Sequence, residues 1–383
     1  MSNTISRWKL YTLMGGLVVV GAFGASLARL QGKQKVGDGN WEHPWFQAFA
    51  MFIGESFCLG YYFIEKQINR RKFGTRGMDP DIIDARKEGL RSDINVFLFA
   101  IPAACDCIAT ALIYVAYLNI PISVAEMMGG ALILITTISS VVLLNKRFFL
   151  YQWLSLIGII AGVVMVGASS LENKKDPNEN PALGIILMLI AMCIQACQMI
   201  VEEKLFRKYK LSPLKVIGFE GVFGMCFYIV FLFIAYFIHC NGALCHNGRL
   251  EDSIAAINGL GENIVLLFLV IALILDIGIF NTLGVSVTKY ASCSNRATVN
   301  TCKVVLVWGF FLAYPGDGGE SFHWLQLGGF IIIVFGTFIF NAERSPKQLE
   351  IEEAGSLLSK QQREGNLNFT PLDTRDSTGE IRI

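Results

Sequence analysis

The chain has 383 residues, of which 53% are hydrophobic and only 16% charged, against the roughly 25% charged share of ordinary globular domains. That balance excludes a soluble multidomain protein, and a net charge of +1 with no basic patch between aromatics excludes a nucleic-acid partner. Apolar runs near the ~20 residues that a membrane helix needs fill most of the length, so the chain is expected to be an all-α protein embedded in lipid.

Ten spans are predicted in chain order: Trp8–Leu30, Pro44–Glu65, Asn95–Leu118, Pro121–Leu144, Phe149–Ser169, Ala182–Val201, Leu214–Ile238, Ile264–Val287, Ala297–Tyr314 and Phe322–Phe340. The first run is too long for a cleavable signal peptide and no clear cleavage site follows it. Asn119-Ile120-Pro121 is so short that spans three and four must form a tight antiparallel hairpin. Lys66–Ser92 carries Lys66, Arg70, Arg71, Lys72, Arg76, Arg86, Lys87 and Arg91, whereas Cys240–Asn263 carries only Arg249. Basic residues stay on the cytosolic side, so both termini are expected to be cytosolic.

Two stretches echo each other. Trp153-Leu154-Ser155-Leu156-Ile157-Gly158 opens span five, and Trp324-Leu325-Gln326-Leu327-Gly328-Gly329 opens span ten. The phrase W-L-x-L-x-G suggests that one half duplicates the other. The expected organisation is 1–172 as a first five-helix repeat, 173–181 as a connector, 182–341 as a second repeat and 342–383 as a disordered cytosolic tail. Five is odd, so the halves run in opposite senses and a central cavity between them is expected. Gly21-x-x-x-Ala25, Gly129-Gly130 and Gly158-x-x-x-Gly162 read as places of close helix approach.

Charges inside the bilayer cost at least ~2.5–3.5 kcal/mol each and should face the bundle interior or a cavity. The chain keeps Glu55, Asp106, Glu126, Glu220, Asp276, Arg296 and Lys303 there. Aligning spans four and nine sets Glu126 and Gly129 against Asn300 and Lys303, each pair three apart on one helix face. Glu126 and Lys303 are therefore expected to meet across the cavity. Asp106 and Asp276 fall at similar depths in spans three and eight, and Glu55 and Glu220 adjoin glycines and read as proton sites or packing groups. Arg296 sits near a span end where snorkelling is the competing reading, and Glu202-Glu203-Lys204 reads as a solvated cluster at a cytosolic span end. Cysteines 58, 105, 107, 193, 197, 226 and 302 lie in apolar runs and read as small buried residues. Cys240 and Cys245 share an outside connector and are candidates for a disulfide.

His43, His239, His246 and His323 have no partner at metal-ligand spacing, and no nucleophile elbow, phosphate loop or HExxH stands in the chain, so no cofactor, no metal and no enzyme are expected. In the tail, Glu353 stands four residues before Leu357-Leu358, the spacing of acidic di-leucine sorting signals read by clathrin adaptors. The expected address is a lysosomal or endosomal membrane, with Golgi or mitochondrial membranes as alternatives, and Asn368-Phe369-Thr370 is expected to stay unglycosylated.

Several phrases together resemble subfamily F of solute carrier family 35, within the drug/metabolite transporter superfamily. They are His43-Pro44-x-x-Gln47-Ala48-x-x-Met51-Phe52-x-Gly54-Glu55, Cys105-Asp106 followed by Tyr114-Val115-Ala116, and Gln198-Met199-x-x-Glu202-Glu203-Lys204. Pro213-Leu214 leads into Gly218-x-Glu220-Gly221-x-Phe223-Gly224, and Ser286-Val287-Thr288-Lys289 is a further match. The resemblance covers about Pro44–Asn341 and implies ten helices in a five-plus-five inverted repeat. It departs from the family at span four, where Gln-Met-Leu-Arg-Gly is replaced by Glu126-Met127-Met128-Gly129-Gly130, leaving Lys303 as the main central cation in place of a family arginine. The expected function is secondary transport of a small polar solute, coupled to protons or counter-substrate. Nucleotide-sugar exchange and a non-transporting membrane scaffold are the alternatives. Expected partners are that solute, membrane lipid and the adaptor; a second copy of the chain stays open.

Overall fold

Helix α1 (Arg7–Gly32) is apolar around most of its circumference, as a helix facing lipid on one side and neighbours on the other must be. A two-stranded turn follows, β1 (Lys35–Val36) antiparallel to β2 (Gly39–Asn40), with Gly37 at φ 59°. The computed structural model describes residues 6–37, 39–41, 43–73, 89–91, 93–117, 119–144, 148–172, 180–239, 248–313 and 323–340. These belong to one compact unit ending at Phe340.

Helix α2 (Pro44–Phe73) runs eight residues beyond the predicted end at Glu65, because the basic segment Lys66–Lys72 is itself a good helix former. A 3₁₀ turn (Val96–Phe99), capped by Asn95 on the Phe97 N–H, leads into α3 (Ala100–Tyr117). The predicted tight connection is present: the N–H groups of Asn119 and Ile120 both return to Ala116 O, and Pro121 is the N-cap of α4 (Ile122–Met128).

The fourth predicted span is not one uninterrupted helix. It divides at Gly129 into α4 and α5 (Gly130–Leu144). The Gly129 N–H turns back to Glu126 O at 3.1 Å and the Leu132 N–H to Gly129 O at 3.0 Å, i→i+3 bonds that tighten the turn. Adjacent glycines allow this tightening because no side chains crowd it.

Helices α6 (Leu150–Glu172), α7 (Pro181–Lys208), α8 (Pro213–Phe237), α10 (Ile264–Tyr290), α11 (Cys293–Ala313) and α12 (Trp324–Phe340) complete the bundle. Their starts carry recognisable stops. Asn180 caps the Leu183 N–H ahead of Pro181, and Asn263 caps the N–H groups of Val265 and Leu266. A short helix, α9 (Ser253–Glu262), capped by Asp252, occupies the connector read as a loop.

The most extensive packing pairs α6 with α12, α2 with α8, α3 with α7, and α1 with α10. The two helices opened by W-L-x-L-x-G thus lie against each other. Their contact is reciprocal: a methyl at Gly162 would stand 2.6 Å from Gly329 O, and one at Gly329 would stand 2.7 Å from Gly162 O. At one end of the bundle the hairpin segment and α9 meet. Trp41 donates from Nε1 to Ala256 O at 3.2 Å, and buried His43 sits 2.6 Å from buried Glu251.

The cysteine expectation holds only in part. Cys58 is buried and Cys105 and Cys107 half-buried, but Cys193, Cys197, Cys226 and Cys302 stand on exposed helix faces. A thiol is apolar enough to face outward from an apolar helix, so an apolar run does not fix which way it points. Cys240, Cys245, Glu353, Leu357 and Leu358 lie outside the described residues.

Candidate functional site

A cavity of about 120 Å³ opens between α3, α4, α5, α7, α10 and α11. Its polar lining is Tyr117, Glu126, Gln195, Asn300, Thr301 and Lys303. Glu126 stands on the last turn of α4, three residues before the break at Gly129 described above. Its Oε1 accepts from the Tyr117 hydroxyl at 3.3 Å, and its Oε2 lies 3.2 Å from Lys303 Nζ. The two side chains are 12% and 13% exposed, so the pair is largely but not wholly removed from solvent.

Lys303 is held from behind. Its ammonium lies 5.3 Å above the Phe280 ring, and Gly21 on α1 makes the room, since a methyl there would reach 3.1 Å from Lys303 Cδ and 2.5 Å from Phe280 Cε2. Asp276, buried against Gly24, lies within electrostatic range of Lys303, and its Oδ2 has no hydrogen-bond partner among the described residues. Asn300 Oδ1 is also buried and unpartnered. The site therefore offers one cation, one anion, an open amide acceptor and two aromatic surfaces, a set suited to a small polar solute.

A second cluster shares no residue with the cavity. Arg296 donates from Nη1 to Glu202 Oε2 at 2.6 Å, with the two side chains 9% and 0% exposed. Around it lie Glu55, Asp106 and Glu220, contributed by α2, α3 and α8. Asn281 donates to Glu55 Oε1 and Thr110 donates to Asp106 Oδ1 at 3.3 Å, and the Gln198 amide lies near both Asp106 and Glu202. Gly284 lets Arg296 cross α10 closely: a methyl there would meet its Nε at 2.7 Å.

Of the sequence-predicted residues, Glu126, Asn300 and Lys303 are brought to one cavity, with Asp276 behind them. Glu55, Asp106, Glu220 and Arg296 are brought together elsewhere, so Asp106 and Asp276 occupy different settings. Two readings are corrected. Arg296 does not snorkel, and Glu202 and Glu203 are not solvated: both are buried, and Glu203 binds Arg207 at 2.9 Å and the Cys293 N–H at 3.0 Å. The available signal was the spacing of Gln198 and Glu202, four apart and hence on one face of α7. Among the described residues no three His, Cys, Asp or Glu side chains are grouped to hold a metal ion.

Seven described helices are long and apolar enough to cross a membrane. Residues 52–237 match the family model of nucleotide-sugar transporters. Solute carrier family 35 member F6 of Homo sapiens is 32% identical over 344 residues, which cover 88% of this chain and 89% of that protein. The chain belongs to subfamily F of solute carrier family 35. Member F6 of Rattus norvegicus is 34% identical over 312 residues, 80% of each chain. The UDP-N-acetylglucosamine transporter of Homo sapiens is 23% identical over 274 residues, covering 68% of this chain and 75% of that protein. This family 35 chain is thus a multi-pass membrane protein and a solute transporter, not an enzyme. The subfamily F resemblance seen in the phrases around Glu55, Glu202 and Glu220 maps onto the Arg296 cluster, whereas the departure at Glu126 falls in the cavity.

Proposed function

We propose that this carrier moves a small polar solute across an intracellular membrane by alternating access, coupled to protons or to counter-substrate. The observation that carries this reading is the Glu126–Lys303 pair, which ties α4 to α11 inside a polar cavity. A substrate able to compete for either charge would break that tie, and the tightened turn at Gly129 gives α4 a place to move relative to α5.

A five-plus-five inverted repeat underlies the proposal. Its boundaries are 1–172 and 182–341, joined by 173–181, with 342–383 as a cytosolic tail. The pattern of helix neighbours supports it. If α1, α2, α3, α4–α5 and α6 correspond to α7, α8, α10, α11 and α12, then α1 against α10 mirrors α7 against α3. Likewise α1 against α11 mirrors α7 against α5, and the pairs α2–α8 and α6–α12 map onto themselves.

Nucleotide-sugar antiport is the second reading, favoured by the matching family model and by the UDP-N-acetylglucosamine transporter relative. A diphosphate needs cationic partners. Within the cavity Lys303 is the cation among the described lining residues, and Arg296 already serves Glu202, which is why a smaller solute is preferred. A non-transporting scaffold is a third, different reading. Cysteines introduced at positions 126 and 303 that react with a small hydrophilic reagent would argue against it. The deciding experiment is a thermal-shift screen of nucleotides, amino acids and metabolites. Uptake of each stabilising compound into proteoliposomes follows, for wild type, Glu126→Gln and Lys303→Met. Normal flux in both variants would remove the pair from the mechanism.

Both termini are proposed to be cytosolic, which leaves Cys240 and Cys245 on the opposite side, where a disulfide between them is chemically reasonable. The tail signal at Glu353, Leu357 and Leu358 is proposed to bind a clathrin adaptor and direct the carrier to lysosomal or endosomal membranes.

A further inference from the structure

We infer that the Arg296 cluster is a proton-binding site separate from the substrate cavity, and that it takes up and releases the proton that drives transport. This rests on the carrier reading above and adds to it a location for the coupling ion.

The argument begins with charge. Four carboxyl groups share one guanidinium: Glu202 binds Arg296 directly, and Glu55, Asp106 and Glu220 lie within its electrostatic range. Were all four ionised, the cluster would carry three uncompensated negative charges. Glu55, Glu202, Glu220 and Arg296 are 2%, 0%, 1% and 7% exposed, and the helices that carry them are membrane-length or longer. A buried charge persists only when paired and hydrogen-bonded. Arg296 compensates Glu202 at 2.6 Å, so the remaining groups need another positive charge.

A second observation is independent of that count. Glu55 Oε2, Glu202 Oε1 and Glu220 Oε1 are buried with no hydrogen-bond partner among the described residues. An ionised oxygen left without a donor is the costly case, whereas a carboxylic acid is neutral and supplies its own O–H donor. The other groups facing the cluster cannot provide the missing charge. Among the described residues they are the thiols of Cys58 on α2 and of Cys105 and Cys107 on α3, the phenols of Tyr114 on α3 and Tyr228 on α8, and the neutral Thr110 on α3, Gln198 on α7, and Asn281 and Thr282 on α10.

A proton fits better than a metal cation. Hard cations gather six or more oxygens at coordination distance, and no three of these carboxylates are grouped for that. The α2 and α8 backbones also approach closely beside the cluster, a methyl at Gly221 reaching 2.6 Å from Glu55 Cβ. Asp106 alone among the four keeps partial exposure and gives the cluster an edge towards its surroundings. In the step proposed, a hydronium ion on one side of the membrane transfers a proton to a carboxylate oxygen, so that one hydronium O–H bond breaks, one carboxyl O–H bond forms and a water is left behind. The acid returns that proton to water on the other side after the halves move, carrying one positive charge across.

The test uses the full-length protein in lipid nanodiscs and infrared difference spectra recorded across pH, which detect the carbonyl stretch of a protonated carboxylic acid without any substrate. Wild type should show this band at neutral pH. Glu55→Gln and Glu220→Gln, checked for folding by monodispersity and thermal melting, should each lose about one carboxyl's share of it. Glu65→Gln, at an exposed position on α2, should leave it unchanged. Absence of the band in wild type, or its persistence in full in both variants, would overturn the site. A band that responds to sodium at fixed pH would reassign it to sodium and overturn the proton. If the band is present but flux of the solute found by thermal shift ignores a pH gradient, the coupling role falls. Failure to find any transported solute counts against the carrier reading alone, because the infrared result does not depend on flux.

Discussion

The Lys303 ammonium stands 3.2 Å from Glu126 Oε2 and joins the break in the fourth span to the ninth across a polar cavity. Removing one partner leaves the other charge without its counter-ion. For a fully buried pair that costs ~3–5 kcal/mol; with both side chains slightly exposed, about 2–3 kcal/mol is expected for Glu126→Gln or Lys303→Met. The double variant should melt above either single one, since it leaves no stranded charge. Solute flux should fall at least ~10-fold in each single variant, equivalent to ~1.4 kcal/mol of transition-state stabilisation. Melting curves and proteoliposome uptake measured on the same preparations check both statements.

The two glycines of the Gly158-x-x-x-Gly162 phrase should behave differently. Gly162 faces Gly329 O, Ile333 Cγ1 and Ile333 N within 3.1 Å of an added methyl, whereas Gly158 has open space. Gly162→Ala should destabilise by ~1–3 kcal/mol by forcing α6 and α12 apart. Gly158→Ala should be neutral or stabilising by under ~1 kcal/mol, since alanine favours helix. Equal melting temperatures for the two variants would contradict the observed packing.

Arg296 and Glu202 form the tightest buried ion pair of the second cluster. Arg296→Met should cost ~3–5 kcal/mol because it strips the cation from four acids. Adding Glu202→Gln should recover part of that loss. A double variant no more stable than Arg296→Met would mean that Glu202 is compensated by something other than Arg296. The readout is the midpoint of thermal unfolding in one detergent and one pH.

Leu357→Ala with Leu358→Ala should move the protein from lysosomal membranes to the cell surface, as judged by surface labelling and organelle fractionation. Unchanged delivery to lysosomes would show that the tail signal is not used.

Much of the fold was legible because membrane helices write their own boundaries. A run near 20 apolar residues cannot leave its backbone unpaired in lipid, and it must be helical. Nine of the ten predicted spans each hold one described α-helix of at least 17 residues, and the tenth, Pro121–Leu144, carries its glycine pair where it divides. The approach of Glu126 to Lys303 was also legible, because ionisable residues in lipid have few places to go and the repeat phrases aligned their spans.

Depth and repeat alignment, however, are one-dimensional, and a helix presents its residues around a full turn. Which residues share a cluster depends on helix rotation and crossing, set by side-chain packing between distant segments. That is why Asp106 and Asp276, similar in depth, part company, and why Arg296 and Glu202, 94 residues apart, meet at 2.6 Å. The same reason moved Glu202 and Glu203 from a solvated helix end into the interior, where α11 covers them through Arg296 and the Cys293 N–H. By itself the sequence determined a membrane-embedded helical carrier with its charges inside. Only the packing of helices from opposite ends of the chain decided that those charges gather in two separate groups, since that arrangement depends on rotations no local pattern encodes.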